Sequence, residues 1–201
     1  MGVKMKVLHI VSGFPYTKLY KELLDKQFAQ GIKLRAYVFT RKEHQHRKVY
    51  DSYVDQRFNH TRFDRIIFHV KHKKVLRDII SIYDFGEYDL LHAHTLFSNG
   101  YIAYKINERY GIPYVVAIRN TDINVFFKYM VHLRSLGKRI LRNASKVIFI
   151  SEVYRKEALK KYLSKKEFQL LKEKSIAKAN GINGFWIENQ YNMNRKINGK
   201  N

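Results

Sequence analysis

The chain begins with a buried strand, a glycine turn, an amphipathic helix and a second strand, and this order restricts the fold more than any other feature. Residues 6–12 are a short apolar run that is followed by Gly13. Apolar residues then recur at helical spacing over residues 19–30, and Gly31 provides a stop signal. Residues 34–39 are again strand-like. Such a strand–helix–strand unit predicts a parallel sheet with right-handed crossovers.

The same alternation continues along most of the chain. Further strands are predicted at residues 65–70, 89–94, 114–118, 146–150 and 175–179. Further helices are predicted at residues 75–83, 100–110, 125–141 with an interruption near Gly137, and 154–174, with Ser151 as an N-cap and Glu152 in the first turn after it. Residues 40–61 are polar and are predicted to form a loop with short helical pieces.

This alternation predicts an α/β domain with a Rossmann-like, doubly wound and mostly parallel sheet that has helices on both faces. The 201 residues suit one domain, so we assign residues 1–187 to it and residues 188–201 to a linker or to the start of a further, carboxyl-terminal domain. The chain has no cysteine, which excludes disulfides and cysteine-ligated zinc. No apolar run approaches the roughly 20 residues that a membrane-spanning helix needs. We therefore expect a cytoplasmic protein, at most docked at the inner face of a membrane.

The charge is strongly positive, because 39 Lys and Arg residues outnumber 17 Asp and Glu residues by 22. A field of this sign attracts polyanions such as anionic lipid, phosphate-bearing substrates or nucleic acid. Basic stretches at residues 71–74, 134–142 and 160–174 are either solvated helix faces or sites of attachment to anionic lipid, where each cation contributes about 1 kcal/mol. A non-enzymatic basic module that binds nucleic acid or anionic membrane is thus the alternative function. Nucleic acid is disfavoured, because no helix-turn-helix or RNA-recognition motif is present.

In doubly wound sheets, ligands bind beyond the carboxyl ends of the strands, and this rule selects the candidate site residues. Ser12, Gly13 and Phe14 follow the first strand. A glycine there lets a phosphate approach backbone N–H groups at a helix N-terminus. A single glycine can equally well serve only to make the turn.

Two histidines, His92 and His94, stand on the same face of a predicted strand because side chains alternate there. Such a pair can bind a metal, but no third ligand lies nearby in the sequence, so no metal is expected. We expect His92 to be partly buried and hydrogen-bonded. His94 is expected to face the crevice, where a histidine can hydrogen-bond a hydroxyl or phosphate or act as an acid or base.

The phrase Arg119-Asn120-Thr121-Asp122 closes the fifth predicted strand. An arginine at this position points toward the crevice mouth and can hold a phosphate or carboxylate with two hydrogen bonds. Asn120, Thr121 and Asp122 are candidates for donor-phosphate or acceptor binding. Thr121 or Asp122 can alternatively cap the helix that follows.

Six phrases occur in an order that resembles the family 4 glycosyltransferases of the GT-B fold. They are the first strand, Asp89-Leu-Leu-His-Ala-His94, Gly111-Ile112-Pro113, Arg119-Asn120-Thr121-Asp122, Val147-Ile-Phe-Ile-Ser151, and Asn180-Gly181-Ile182-Asn183 followed by Phe185-Trp186. The resemblance implies the amino-terminal, acceptor-side half of a retaining hexosyltransferase. Its donor is a nucleotide sugar, used as a substrate and without a metal or other cofactor. Gly13 would lie near the donor phosphates, and a residue of the fifth-strand phrase near the transferred sugar.

Departures from the family pattern affect the expected site. Gly13 stands alone where the family has paired glycines, Arg119 replaces a histidine, and Asn183 replaces an aspartate. His94 and Arg119 are therefore only candidates for a catalytic role. None of the nine glutamates has a partner eight positions away, which is the signature of the family's second half. We expect a separate carboxyl-terminal nucleotide-sugar domain as partner, little activity of this half alone, and an acceptor in surface-polysaccharide, capsule or lipid-linked glycan assembly, presented as a glycan or lipid phosphate.

Overall fold

Seven strands form one all-parallel sheet in the computed structural model, which describes residues 5–44 and 50–181. The strands are β1 (Lys6–Val11), β2 (Lys33–Arg41), β3 (Val54–His60), β4 (Leu90–Ala93), β5 (Tyr114–Ala117), β6 (Lys146–Phe149) and β7 (Ser175–Ala177). Their order across the sheet is β3-β2-β1-β4-β5-β6-β7. The strand order therefore reverses direction between β1 and β4, which is where ligands bind in sheets of this kind.

Six α-helices connect these strands within the described residues: α1 (Lys18–Ala29), α2 (Phe68–Ile82), α3 (Ser98–Tyr110), α4 (Arg134–Asn143), α5 (Glu152–Glu157) and α6 (Lys165–Glu173). The Thr17 hydroxyl accepts a hydrogen bond from the Leu19 N–H and so caps the start of α1. Gly31 and Gly111 end α1 and α3 with φ angles of 77° and 74°, in the left-handed region that glycine adopts without strain. None of these helices is long and apolar enough to cross a bilayer.

The larger part of the core lies on one face of the sheet. Alternate side chains of β1, β4, β5 and β6 point to this face, among them Leu8, Ile10, Leu91, Tyr114, Val116, Val147 and Phe149. They pack against buried side chains of α2, α3, α4 and α6, including Val75, Ile79, Ile102, Ile106, Ile140, Leu141 and Leu171. This burial of apolar surface is the main stabilising contribution to the domain.

A smaller core covers the opposite face. Tyr20 and Leu24 of α1 pack there on Val11, Leu34, Ala36 and Val38, with Phe14 and Tyr53. Helices therefore lie on both faces of a parallel sheet, and the Rossmann-like, doubly wound fold predicted from the sequence is confirmed. The predicted boundary at residue 187, the linker 188–201, Asn183 and the Phe185-Trp186 phrase lie outside the described residues.

The structure corrects the sequence prediction between β2 and α2. Residues 54–60, predicted as part of a loop, form the edge strand β3. The charged side chains of this polar strand form ion pairs, Asp55 with Arg35 and Arg57 with Asp78. The strand predicted at residues 65–70 is wrong, since this segment runs from the end of a 3₁₀ helix (Phe63–Arg65) into the first turn of α2. Its apolar residues misled the prediction because Ile66 is exposed rather than buried in the sheet.

Two predicted helices are divided in the structure. Residues 125–141 form a π-helical segment (Asp122–Phe127), a 3₁₀ turn (Val131–Leu133) and α4, so the interruption lies before α4 and not near Gly137. The helix predicted at residues 154–174 is likewise split into α5 and α6. Ser164 begins α6 with a capping box, in which Ser164 and Glu167 each accept a backbone N–H bond of the other. The predicted cap at Ser151 is confirmed by its hydrogen bond from the Tyr154 N–H.

Gly137 lies inside α4, where the helix meets two aromatic rings. A Cβ at this position would come within 2.7 Å of Phe97 Cζ and 2.9 Å of Phe127 Cζ. We predict that Gly137→Ala lowers the free energy of unfolding by about 1–3 kcal/mol, because overpacking outweighs the roughly 1 kcal/mol of gained helix propensity. Urea unfolding measures the difference. Gly181→Ala is the matched control, since no described residue beyond its chain neighbours comes within 4 Å of its Cβ. A Gly137→Ala variant as stable as the parent chain would contradict the packing argument.

Candidate functional site

A cleft of about 660 Å³ opens at the carboxyl ends of the strands. The ends of β1, β2 and β3 and the start of α2 form one side, and the segments after β4 and β5 form the other. Its polar lining consists of Ser12, Thr40, Arg41, His60, Lys71, His72, Thr95, Ser98, Thr121, Asp122 and His132. Three predicted site residues, namely Ser12, Thr121 and Asp122, are among them.

The segment after β1 approaches α1 closely. The backbone φ of Gly13 is −99°, so glycine is not required there for a left-handed conformation. A Cβ on Gly13 would instead meet Tyr20 Cε2 at 3.0 Å. The neighbouring Phe14 is only 3% exposed and packs in the smaller core, with its ring 5.2 Å from that of Tyr50. Only Ser12 of the predicted trio therefore presents a side chain to the cleft.

The buried Asp122 carboxylate joins the segments that follow β4 and β5. It accepts backbone N–H bonds from Leu96 at 3.0 Å, Phe97 at 3.1 Å and Arg119 at 2.9 Å. Burial raises the pKa of Asp122 to about 6, although these three bonds act in the opposite direction. The Asp122 oxygens thus satisfy N–H groups that precede α3 and the π-helical segment.

The Arg119 side chain contacts three separate parts of the chain at the carboxyl-terminal edge of the sheet. Its Nε donates to the His94 carbonyl at 3.2 Å, and its Nη1 donates to Asn180 Oδ1 at 2.8 Å. The guanidinium also lies over the Tyr20 ring, 5.9 Å from its centroid. Arg119 is half-buried, whereas Asn120 and Thr121 are exposed beside it. A cation with donors at this edge can bind an anionic group that enters from solvent.

Three histidines form a cluster under α1. His9 and His92 are register partners on β1 and β4, and His9 Nδ1 lies 3.0 Å from His94 Nε2. His94 is only 1% exposed, with the Tyr20 ring edge-on to it, so the prediction that His94 faces the crevice is wrong. Helix α1 covers it from above. Burial, more than any neighbouring charge, holds the pKa of His9 and His94 well below the usual value and lowers the pKa of His92 to about 4.

The sequence indicated only two neighbouring metal ligands, His92 and His94. In the structure His9 joins them, so three potential ligands lie together. The ligand nitrogens of His9, His92 and His94 all lie within 4.8 Å of one another. Metal-bound histidines normally donate their other N–H to an acceptor, whereas His9 Nε2 and His94 Nδ1 are buried and find no hydrogen-bond partner among the described residues. The 3.0 Å His9–His94 contact is a hydrogen-bond distance. This contact fits two neutral imidazoles joined by one N–H···N hydrogen bond.

Several residues that line the cleft were not selected from the sequence. Thr40, Arg41 and His60 stand at the ends of β2 and β3, and Lys71 and His72 belong to the first turns of α2. The rule of strand ends would have selected His60 if β3 had been recognised. His72 is buried, and its ring stacks on Phe68 at 3.9 Å. Burial lowers the pKa of His72 to about 3, so this imidazole is neutral.

Comparisons with known proteins agree with this architecture. The model of Glycosyltransferase Family 4 matches residues 18–167. An uncharacterized glycosyltransferase of Methanocaldococcus jannaschii is 26% identical over 159 residues, which are 74% of this chain and 41% of the relative. The putative teichuronic acid biosynthesis glycosyltransferase TuaC of Bacillus subtilis is 35% identical over 72 residues, which are 36% of this chain and 18% of that protein. The chain thus spans less than half the length of these relatives.

A solved structure has the same fold. The Anabaena protein HepE, crystallised with UDP and glucose, is 15% identical and superposes with a TM-score of 0.53. The match covers 89% of this chain and 45% of that one. At this identity the likeness concerns the fold alone, a Rossmann-like half of a GT-B glycosyltransferase.

The raised pKa of Asp122 predicts how the free energy of unfolding depends on pH. The pKa of Asp122 is raised from 3.8 to about 6, so between these values the folded chain keeps a proton that the unfolded chain releases. Its contribution to the free energy of unfolding is therefore fully present below pH 4 and falls by about 3 kcal/mol as the pH rises to about 6. Asp122→Asn leaves at least one buried N–H without an acceptor, which costs about 1–3 kcal/mol at pH 7.

We expect the stability gap between the parent chain and Asp122→Asn to widen as the pH is lowered from 7 to 4, as measured by urea unfolding. Asp84→Asn is the control, because Asp84 is exposed and accepts one N–H bond, from Gly86. A gap that narrows toward pH 4 would mean that the three N–H bonds outweigh burial and hold the pKa of Asp122 low.

Proposed function

Because the chain belongs to glycosyltransferase family 4, we propose that it is the acceptor-side half of a hexosyltransferase that uses a nucleotide sugar. The donor is a substrate, and no metal or other cofactor takes part. The acceptor is a surface-polysaccharide or lipid-linked glycan. The relatives extend well beyond the matched region, so a carboxyl-terminal domain would supply most of the nucleotide-sugar contacts, and this half alone would be nearly inactive. We also propose that the transfer retains the anomeric configuration of the sugar.

The placement of Arg119 carries this proposal. Its guanidinium stands at the carboxyl end of β5, fixed by the His94 carbonyl and by Asn180. A positioned arginine stabilises the charge that develops on a departing nucleotide diphosphate, and preorganised charge of this kind is commonly the largest catalytic contribution. We propose that Arg119 contacts the donor phosphate or the transferred sugar. His94 then acts as a positioning residue through its carbonyl, since its buried ring cannot reach a substrate.

The cleft composition suits an acceptor that carries both hydroxyls and negative charge. The side-chain hydroxyls of Thr40, Thr95 and Ser98 offer hydrogen bonds to sugar hydroxyls. Arg41 and Lys71 place positive charge in the same lining. Asp122 lines the cleft but is occupied by three backbone N–H groups, so it is not proposed as a general base. A lipid phosphate presented at the cytoplasmic membrane face fits this arrangement.

A transfer assay on the protein in its natural full length tests the proposal. The protein is incubated with radiolabelled nucleotide sugars, UDP-glucose first, and with a membrane lipid extract, and label in the lipid and polymer fractions is counted. We predict that Arg119→Gln lowers kcat/KM roughly 10- to 100-fold, because the fixed charge is lost. Arg119→Lys is predicted to lower it less, since the charge remains without the two-pronged geometry.

Arg109→Gln is the matched control, because Arg109 is exposed at the end of α3, far from the cleft edge. Thermal unfolding of each variant separates a lost contact from a lost fold. Unchanged kcat and KM in folded Arg119→Gln would remove Arg119 from the site. Absence of transfer from every nucleotide sugar tried would overturn the proposed activity itself.

A further inference from the structure

Exposed apolar side chains border the cleft on both sides, and together they form what we call the cleft rim. On the α2 side, Phe63, Ile66, Ile67 and Val70 are 65%, 80%, 59% and 41% exposed. On the opposite side, Val125, Tyr129 and Val131 are 38%, 68% and 59% exposed. Ile66 and Val125 both line the cleft, so the two groups flank one opening. Exposed apolar surface concentrated around an opening indicates an interaction site rather than scattered surface variation.

The charge around the cleft rim is positive. Residues 62–74 contain one acid, Asp64, which is buried and ion-paired with Lys74 at 2.7 Å, and residues 125–134 contain none. The Arg62 guanidinium lies 4.8 Å from the Phe63 ring centroid, and Lys128 Nζ lies 4.9 Å from that of Tyr129. An exposed aromatic ring beside a cation is typical of segments that rest in the headgroup region of a bilayer.

We propose that the cleft rim inserts into the headgroup boundary of an anionic bilayer and places the cleft opening against the lipid surface. This deepens the proposed function and rests on it for the acceptor, which would reach the cleft from the membrane without crossing water. Charge complementarity selects this occupant, because anionic headgroups attract the cations while the exposed isoleucines and aromatics gain an apolar environment. Nucleic acid would satisfy the cations but would leave Ile66 and Ile67 in water.

Vesicle co-sedimentation tests the surface independently of glycosyl transfer. The chain is mixed with phosphatidylcholine vesicles that contain or lack phosphatidylglycerol, at low and at high salt. We expect binding only to the anionic vesicles. Ile66→Ser/Ile67→Ser is predicted to weaken that binding at least tenfold, because two exposed apolar side chains no longer insert. Leu170→Ser is the matched control, since Leu170 is 52% exposed on α6, outside the cleft rim.

Three outcomes would overturn the inference: no binding to anionic vesicles, equal weakening by Leu170→Ser, or binding that salt abolishes but Ile66→Ser/Ile67→Ser leaves unchanged. The last would show a purely electrostatic surface. Circular dichroism checks that the double variant is folded, which is expected because both side chains lie outside the core. A second double variant, Phe63→Ser/Ile67→Ser, changes exposed side chains of the cleft rim that do not line the cleft. If it transfers sugar normally to a water-soluble acceptor but loses vesicle binding, transfer and docking are separate properties. Loss of transfer with intact vesicle binding would instead count against the proposed function alone.

Discussion

The buried Asp122 carboxylate is the interaction on which the candidate site depends. Its two oxygens accept three backbone N–H bonds from segments that are 22 residues or more apart in the chain, namely those of Leu96, Phe97 and Arg119. Each of these N–H groups precedes a helix and would otherwise lack a partner away from water. One carboxylate thereby sets the distance between the loops after β4 and β5. The cleft between those loops and α2 is defined only while that distance is held.

Arg119 depends on this arrangement in a direct way. Its backbone N–H is bound by Asp122, and its side chain reaches the His94 carbonyl and Asn180. The guanidinium is therefore fixed at both ends before any ligand arrives. Such preorganisation avoids the entropic loss of ordering a flexible cation during binding. The histidine cluster contributes from below, because the buried ring of His94 packs against Tyr20, which the guanidinium overlies.

The sequence predicts the fold better than it predicts the site. The glycine stops at Gly31 and Gly111 and the cap at Ser151 carry local signals that need no tertiary context. Strand β3 was missed because its polar side chains form ion pairs at the sheet edge, which hides the apolar alternation. The burial of His94 was missed because it depends on α1 and on His9, 85 residues earlier in the chain. The strand at residues 65–70 was predicted wrongly because a short apolar run does not show whether its side chains are buried, and Ile66 is exposed.

The chain has a net charge of +22, and its cleft is cationic because most acidic side chains are engaged elsewhere in the domain. Its carboxylates are largely engaged in structure: Asp55, Asp64 and Asp78 pair with cations, and Asp122 binds backbone N–H groups. Among the described residues that line the cleft, Asp122 is the one acid. Arg41 and Lys71 contribute positive charge to the same lining. An anionic group gains most where positive charge is held beside low-dielectric walls, and here those walls continue into an apolar rim. This pairing of a cationic interior with an apolar border suits the proposed acceptor, which is both anionic and lipid-linked, better than a freely soluble anion.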